Sequence, residues 1–343
     1  MLFRSSEPAG VWAGKDWPGA GEWLLNNAKA DPIEYEKTLL PKFNPVKFDA
    51  KEWADLARDA GMGYVVITTK HHDGFALWDS KASEYDVMAS PFKRDIMKEL
   101  SDAVRADGLT MCWYHSIMDW HHPDYLPRRD WEKASRPAAG ASFDRYVQYL
   151  HAQVEELLTR YGRIGVMWFD GEWESTWTRE LGAALADRCR KLQSKIILNS
   201  RVAPQQASGL DAKLAPTAIG DFGTPEQKIP DRGLPGVDWE SCITMNRNWG
   251  YNRADHDFKS LPQLVGMLVE TASKGGNLLL NVGPTELGQV PPDSVDRLQG
   301  LGRWMRTHGD AIHGTQASPF DHAGFRATRK DRRLNCFLSD WPA

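Results

Sequence analysis

Two hydrophobic rhythms take turns along this chain. Three segments place apolar residues at three- and four-residue spacing between start and stop signals, the pattern of a helix that buries one face. In "FDAKEWADLARDAG" Asp49 is placed to cap and Glu52 follows three residues on; Trp53, Leu56, Ala57 and Ala60 share a face, and Gly61 ends the run. "SPFKRDIMKELSDAVRADG" predicts a helix capped by Ser90, with Pro91 in its first turn, a stripe of Ile96, Leu100 and Val104, and Gly108 as its stop. "ASFDRYVQYLHAQVEELLTRYG" repeats the pattern through Phe143, Val147, Leu150, Val154 and Leu157 to Gly162.

After each terminal glycine the rhythm changes to a short apolar run: "GYVVITTK", "LTMCWYHS" and "IGVMWFD", with "KIILNS" and "GNLLLNVG" after later helical stretches. Runs without polar alternation suit strands buried on both faces. Strands alternating with helices predict right-handed parallel crossovers, hence an α/β fold, either a (β/α)8-like TIM barrel or an open doubly wound sheet. The weaker runs "TAIGDF" and "WESCITM" bring the strands to seven, one short of a closed barrel.

Chemistry collects at the carboxyl ends of these runs. Asp170 and Glu172 follow "GVMWFD"; His71, His72 and Asp73 follow "YVVITTK"; Tyr114 and His115 end "LTMCWY"; Asn199 and Arg201 end "KIILNSR". Barrel enzymes build their sites on that face. Strand alternation puts Val166, Trp168 and Asp170 on one side, as it does Thr110, Cys112 and Tyr114, and Ile197, Asn199 and Arg201. An aspartate ending an apolar run is costly unless it is paired or used, and this one shares a mouth with imidazoles, a phenol and a guanidinium. Because neighbouring strand residues point to opposite faces, His71 and His72 reach one mouth only through a local kink. A metal shared with Asp73 would need the same kink. His121 and His122, ahead of Pro123, are expected to pack a loop. No dinucleotide or phosphate-cradling glycine loop accompanies the strands.

Composition narrows the classes. Forty-two basic and 46 acidic side chains leave a net charge of −4 over 343 residues, with no electrostatic case for nucleic acid or an anionic membrane as partner. No apolar run approaches a membrane span, and "MLFRSSEPAG" lacks the core of a secretory signal. Cys112, Cys189, Cys242 and Cys336 have no paired spacing and are expected to be buried free thiols, not a metal or disulfide framework. No metal or other cofactor is expected. Fifteen tryptophans supply flat faces of the kind that stack on sugar rings. The cluster "RATRKDRRL" is expected to be a solvated face.

The segments "TTKHHDGFALWDSK", "SPFKRDI", "MDWHHPDY", "WFDGEWE", "TPEQ", "WGYN" and "GGNLLLNVGP" resemble the α-L-fucosidases of glycoside hydrolase family 29, from about Gly19 to Phe320. Members are retaining exo-glycosidases that remove terminal α-L-fucose, built as a barrel followed by a small β-sandwich. The resemblance implies a barrel over residues 1–313 and the start of a β domain over 314–343. It implies a fucosylated glycan or small fucoside as substrate and Asp170 as nucleophile. It further implies that Glu22, Trp23, His71, His72, Tyr114, Trp168 and Arg201 hold the sugar. For the acid/base the chain offers Glu226, Glu240 and Glu172. Glu226 is favoured because it follows a predicted strand end, whereas Glu240 opens a predicted strand and would lie at the far end. The resemblance also implies an absent first strand, usually carrying a sugar-contacting histidine, which would account for seven strands and make the chain a fragment or shortened product. A fucose-binding protein with impaired chemistry is the alternative to an active hydrolase.

Overall fold

The computed structural model describes residues 10–17, 21–204, 219–234, 236–320 and 325–338. A two-residue hairpin, β1 (Val11–Trp12) and β2 (Lys15–Asp16), precedes two short helices, α1 (Leu24–Asn27) and α2 (Pro32–Leu39). Alternation then sets in: α3 (Ala50–Asp59), β3 (Tyr64–Lys70), α4 (Ile96–Ala106), β4 (Thr110–Ser116), α5 (Phe143–Thr159), β5 (Val166–Asp170), α6 (Arg179–Leu192) and β6 (Ile197–Leu198). It resumes with β7 (Glu240–Thr244), α7 (Leu261–Ser273), β8 (Asn277–Asn281) and α8 (Pro292–His308), and the described chain ends on the hairpin β9 (Arg326–Lys330) and β10 (Arg333–Phe337).

Strands β3 to β6 pair in order and in parallel, with Tyr114 opposite both Thr68 and Trp168. Single parallel bridges, Asn199 to Phe222, Gly223 to Trp239 and Glu226 to Cys242, carry the sheet on to the parallel pair β7 and β8. The period of two sorts the side chains as expected. Ile67, Trp113, Phe169 and Leu198 face outward and are fully buried with Ile96, Leu100, Tyr146, Leu150 and Leu185 of the helices. Their neighbours Val66, Cys112 and Trp168 turn inward to a smaller cluster with Phe222 and Cys242. Each fully buried Leu or Phe adds about 1.5 to 3 kcal/mol, so the outer layer dominates stability.

Strand β3 pairs only with β4, and β8 only with β7, so among the described residues the sheet is open between them. The helices outside are not: α8 packs on α3, and Gly302 lies against the Asp59 carbonyl where a Cβ would collide with it. His313 adds a bond to the Gly61 carbonyl oxygen (2.9 Å). The arrangement is therefore TIM-barrel-like, with α7, α8, α3 and α4 packed in succession outside the interruption of the sheet.

Several local expectations need correction. Asp49 caps α3 as predicted, accepting from Lys51 and Glu52 N–H, but α4 begins at Ile96 under an Asp95 cap, not under Ser90. Lys93 adopts a left-handed φ of 49°, which breaks the helix path, and Ser90 closes an earlier turn by donating to the Val87 carbonyl. In "TAIGDF" Thr217 and Ala218 lie outside the described residues, and Phe222 contributes a single bridge. All four cysteines are free, but Cys336 is exposed instead of buried. "RATRKDRRL" forms most of the β9–β10 hairpin, and although largely exposed it buries Ala327 and Thr328. Among the described residues no helix is long and apolar enough to cross a membrane.

Candidate active site

The carboxyl ends of the strands open into a cavity of about 1480 Å³, lined by Glu22, Trp23, His71, His72, Tyr114, Trp168, Asp170, Arg201 and Glu226. The nucleophile, the favoured acid/base and the seven sugar-contacting residues named from the resemblance thus meet in one place. The cavity continues down the inside of the open sheet past Val66 and Leu279 to Gly61 and Met305.

Asp170 sits at its centre, 8% exposed. Tyr114 donates its hydroxyl to Oδ2 (2.8 Å) and Arg201 donates Nη1–H to Oδ1 (2.9 Å), so both oxygens accept, the pattern of a carboxylate. Gly171 follows with φ +95°, turning the chain sharply over Met118, whose Cγ would lie 2.7 Å from any Cβ placed there. Arg201 is fixed on three sides: Nε donates to Thr224 Oγ1 (3.0 Å), Nη2 donates to Glu226 Oε2 (2.7 Å), and the guanidinium lies 4.9 Å from the centre of the Trp168 ring. Its two carboxylate partners keep its pKa far above the usual guanidinium range despite burial. Trp168 stacks on Tyr114 at 5.5 Å and 21°, and Tyr114 on His71 at 5.7 Å and 7°, making a continuous aromatic wall.

The two histidines reach this mouth through a β-bulge. Thr68 pairs with Tyr114 and Lys70 with His115, so Thr69 is the extra residue and the strand kinks just ahead of His71. Their rings lie 4.0 Å apart at 46°. Ser116 donates to the Met118 carbonyl (2.7 Å), so His72 Nδ1, 2.6 Å from Ser116 Oγ, must be the donor in that pair; its Nε2 lies 3.7 Å from Asp170 Oδ2. Behind the histidines Lys70 and Asp119, both fully buried, form an ion pair (3.0 Å) over the rings of Tyr146 and Tyr149. Trp23 meets His72 edge-on at 5.4 Å and lies nearly parallel to Trp173 at 6.4 Å.

Asn199, His121, His122 and Glu240 end elsewhere. Asn199 does not reach the mouth; its amide bonds both the N–H and the carbonyl of Phe169 (2.8 Å each) and extends the short ladder of β6. His121 bonds Glu36 (2.8 Å) and His122 packs on Tyr149 (4.2 Å), which is the loop packing expected of them. Glu240 is 4% exposed, buried beneath Trp168 and outside the cavity lining. Glu172 does line the cavity, and burial with the nearby Asp170 charge pushes its carboxyl up to about 8. Among the described residues no group of three His, Cys, Asp or Glu could hold a metal. Thr224 and the half-exposed Trp173 line the site, and the buried Ser116 holds His72; none was singled out, because small hydroxyls and one tryptophan among fifteen have no sequence signal of their own.

Comparison with known proteins points one way. Residues 10–310 match the family described as Alpha-L-fucosidase. The chain is 31% identical over 315 residues to tissue alpha-L-fucosidase of Macaca fascicularis, covering 89% of this chain and 64% of that protein's length. Among solved structures, alpha-L-fucosidase isoenzyme 1 from Paenibacillus thiaminolyticus is 40% identical, covers 90% of this chain and 75% of its own, and has a TM-score of 0.83. A fucosidase from Bacteroides thetaiotaomicron, trapped as a covalent intermediate with 2-fluoro-fucosyl fluoride, is 31% identical with a TM-score of 0.84, covering 94% and 75% of the two chains.

Proposed function

From its membership of the α-L-fucosidase family, to which this chain belongs, we propose that the protein hydrolyses terminal α-L-fucosyl linkages by a retaining, two-step mechanism. The observation that supports this most is the single guanidinium of Arg201 holding Asp170 and Glu226 together. Two carboxyl groups sharing one guanidinium support a pair of the close kind that retaining glycosidases use, about 5 to 5.5 Å apart.

Asp170 is the nucleophile: Tyr114 and Arg201 satisfy its oxygens while orienting it, and attack on the anomeric carbon forms a fucosyl-enzyme ester. Glu226 is the acid/base, giving its proton to the departing oxygen and then taking one from the water that breaks the ester. A sugar bound between them releases Glu226 from Arg201. Trp168, Tyr114 and Trp23 present ring faces to the sugar, and His71, His72, Glu22 and Arg201 its polar contacts. The substrate is a fucosylated glycan or a small fucoside.

Glu172 supports a second assignment of the acid, since a carboxyl raised to about 8 holds its proton at neutral pH. It stands two residues from Asp170 on the same turn, however, whereas the acid must approach from the ring face opposite the nucleophile. Glu226 comes from the neighbouring wall, where it bridges to Cys242. The primary test is hydrolysis of an aryl α-L-fucoside by the 343-residue chain. Turnover is expected, with loss of at least about 10³-fold in Asp170→Ala at unchanged melting temperature. Undiminished activity in a folded Asp170→Ala would overturn the assignment.

A further inference from the structure

Glu240 is the one carboxyl of the family's acid/base candidates that this chain buries away from the cavity. It opens β7 beneath the sugar site and is 4% exposed. Its Oε1 accepts from the indole N–H of Trp168 (3.2 Å), and its Oε2 accepts from the Tyr64 hydroxyl. Tyr64 begins β3 and Trp168 lies in β5, so this carboxyl ties three strands together across the inside of the sheet. A carboxyl so buried is expensive unless its acceptors are used. Here they are used on a ring that itself stacks on Tyr114 and lies against the Arg201 guanidinium.

We propose that Glu240 is a positioning residue: by holding the indole N–H it sets the plane of Trp168, and through that plane the seat of the sugar and the height of Arg201 against Asp170. It never touches the reacting atoms. The inference rests on the fucosidase reading for its functional consequence, but not for its geometric one.

The surroundings of this carboxyl give it a second signature. Facing it are Tyr64 from β3, Cys112 from β4, Trp168 from β5 and Cys242 on its own strand, with no cation bonded to it among the described residues. Burial pushes it up to about 7, the two donors pulling the other way. Between its ordinary 4.5 and that value the folded state holds a proton that the unfolded state releases. Its contribution to stability is therefore complete below 4.5 and is lost as pH rises through 7.

Three variants test the proposal: Glu240→Ala, Glu240→Gln, and Trp168→Phe to assign the Trp168 signal in chain labelled with 5-fluorotryptophan. In Glu240→Ala the Trp168 fluorine resonance should move and broaden, and KM for an aryl fucoside and the dissociation constant of fucose should each rise at least ten-fold, with kcat falling less than three-fold. Glu240→Gln, which keeps an acceptor for the indole, should restore both constants to within about three-fold. Its melting temperature should gain on the parent as pH is raised from 5 to 8. A folded Glu240→Ala with an unmoved resonance overturns the proposal. So does rescue of that variant by azide, which would make Glu240 the acid/base. If the parent chain neither binds nor cleaves fucosides, the functional reading fails, while the Trp168 resonance still decides whether Glu240 positions the ring.

Discussion

Replacing Glu226 by alanine separates two things a carboxyl can do at this mouth. A general acid contributes about 10² to 10⁴ in rate, which at 1.36 kcal/mol per decade is roughly 3 to 5.5 kcal/mol of barrier. That contribution matters only when the departing oxygen needs a proton. A sugar alkoxide needs one; a nitrophenolate leaves without it. In Glu226→Ala, kcat/KM on a fucosyl disaccharide should fall by about 10² to 10⁴, and on the aryl fucoside by no more than about ten-fold. The structure adds a second loss: Arg201 keeps Asp170 at 2.9 Å, but its Nη2 is left with the Thr224 carbonyl at 3.4 Å. That disturbance bears on both substrates alike and cancels in their ratio. The assay is the ratio of the two kcat/KM values in parent, Glu226→Ala and Glu172→Ala, repeated with azide, which can attack the ester in place of water. An unchanged ratio in Glu226→Ala with a collapsed one in Glu172→Ala would refute the reasoning and pass the role to Glu172.

Other consequences are more local. Gly171→Ala forces a side chain into a φ of +95° and against Met118, so it should cost about 1 to 3 kcal/mol and lower the melting temperature measurably in a thermal scan. Lys70→Met strands the buried Asp119 carboxylate and should cost about 3 to 5 kcal/mol in a urea titration, with Lys70→Met/Asp119→Asn recovering part of the loss. Glu172, raised from 4.5 to about 8, stabilises the fold fully below 4.5 and loses that contribution as pH rises through 8. Melting curves should therefore show Glu172→Gln gaining on the parent between pH 6 and 9; parallel curves would place this carboxyl in water.

The strands and their order were legible because buried parallel strands announce themselves as unbroken apolar runs, and "GVMWFD" and "YVVITTK" begin and end within a residue or two of where such runs must. The mouth was legible for the same reason, since period two decides which of Trp168 and Phe169 faces inward. Alternation also foresaw that His71 and His72 needed a kink, but no residue type marks the bulge at Thr69, which is a mismatch of register between two strands. Ser90 and Pro91 carry a sound helix-start pattern, yet Lys93 turns left-handed and the cap passes to Asp95. Asn199 was assigned to the mouth by parity, but β6 lasts only two residues, and beyond it parity no longer holds.

The open sheet has a mechanical meaning. A closed barrel keeps its girth because every strand is tethered to two others; a split ring keeps it only through whatever spans the split. Among the described residues the span is on the outside, where α8 rests on α3 at Gly302 and His313 grips the Gly61 carbonyl. A methyl group added at Gly302 would press on the Asp59 carbonyl and act as a wedge between the two helices that bridge the split.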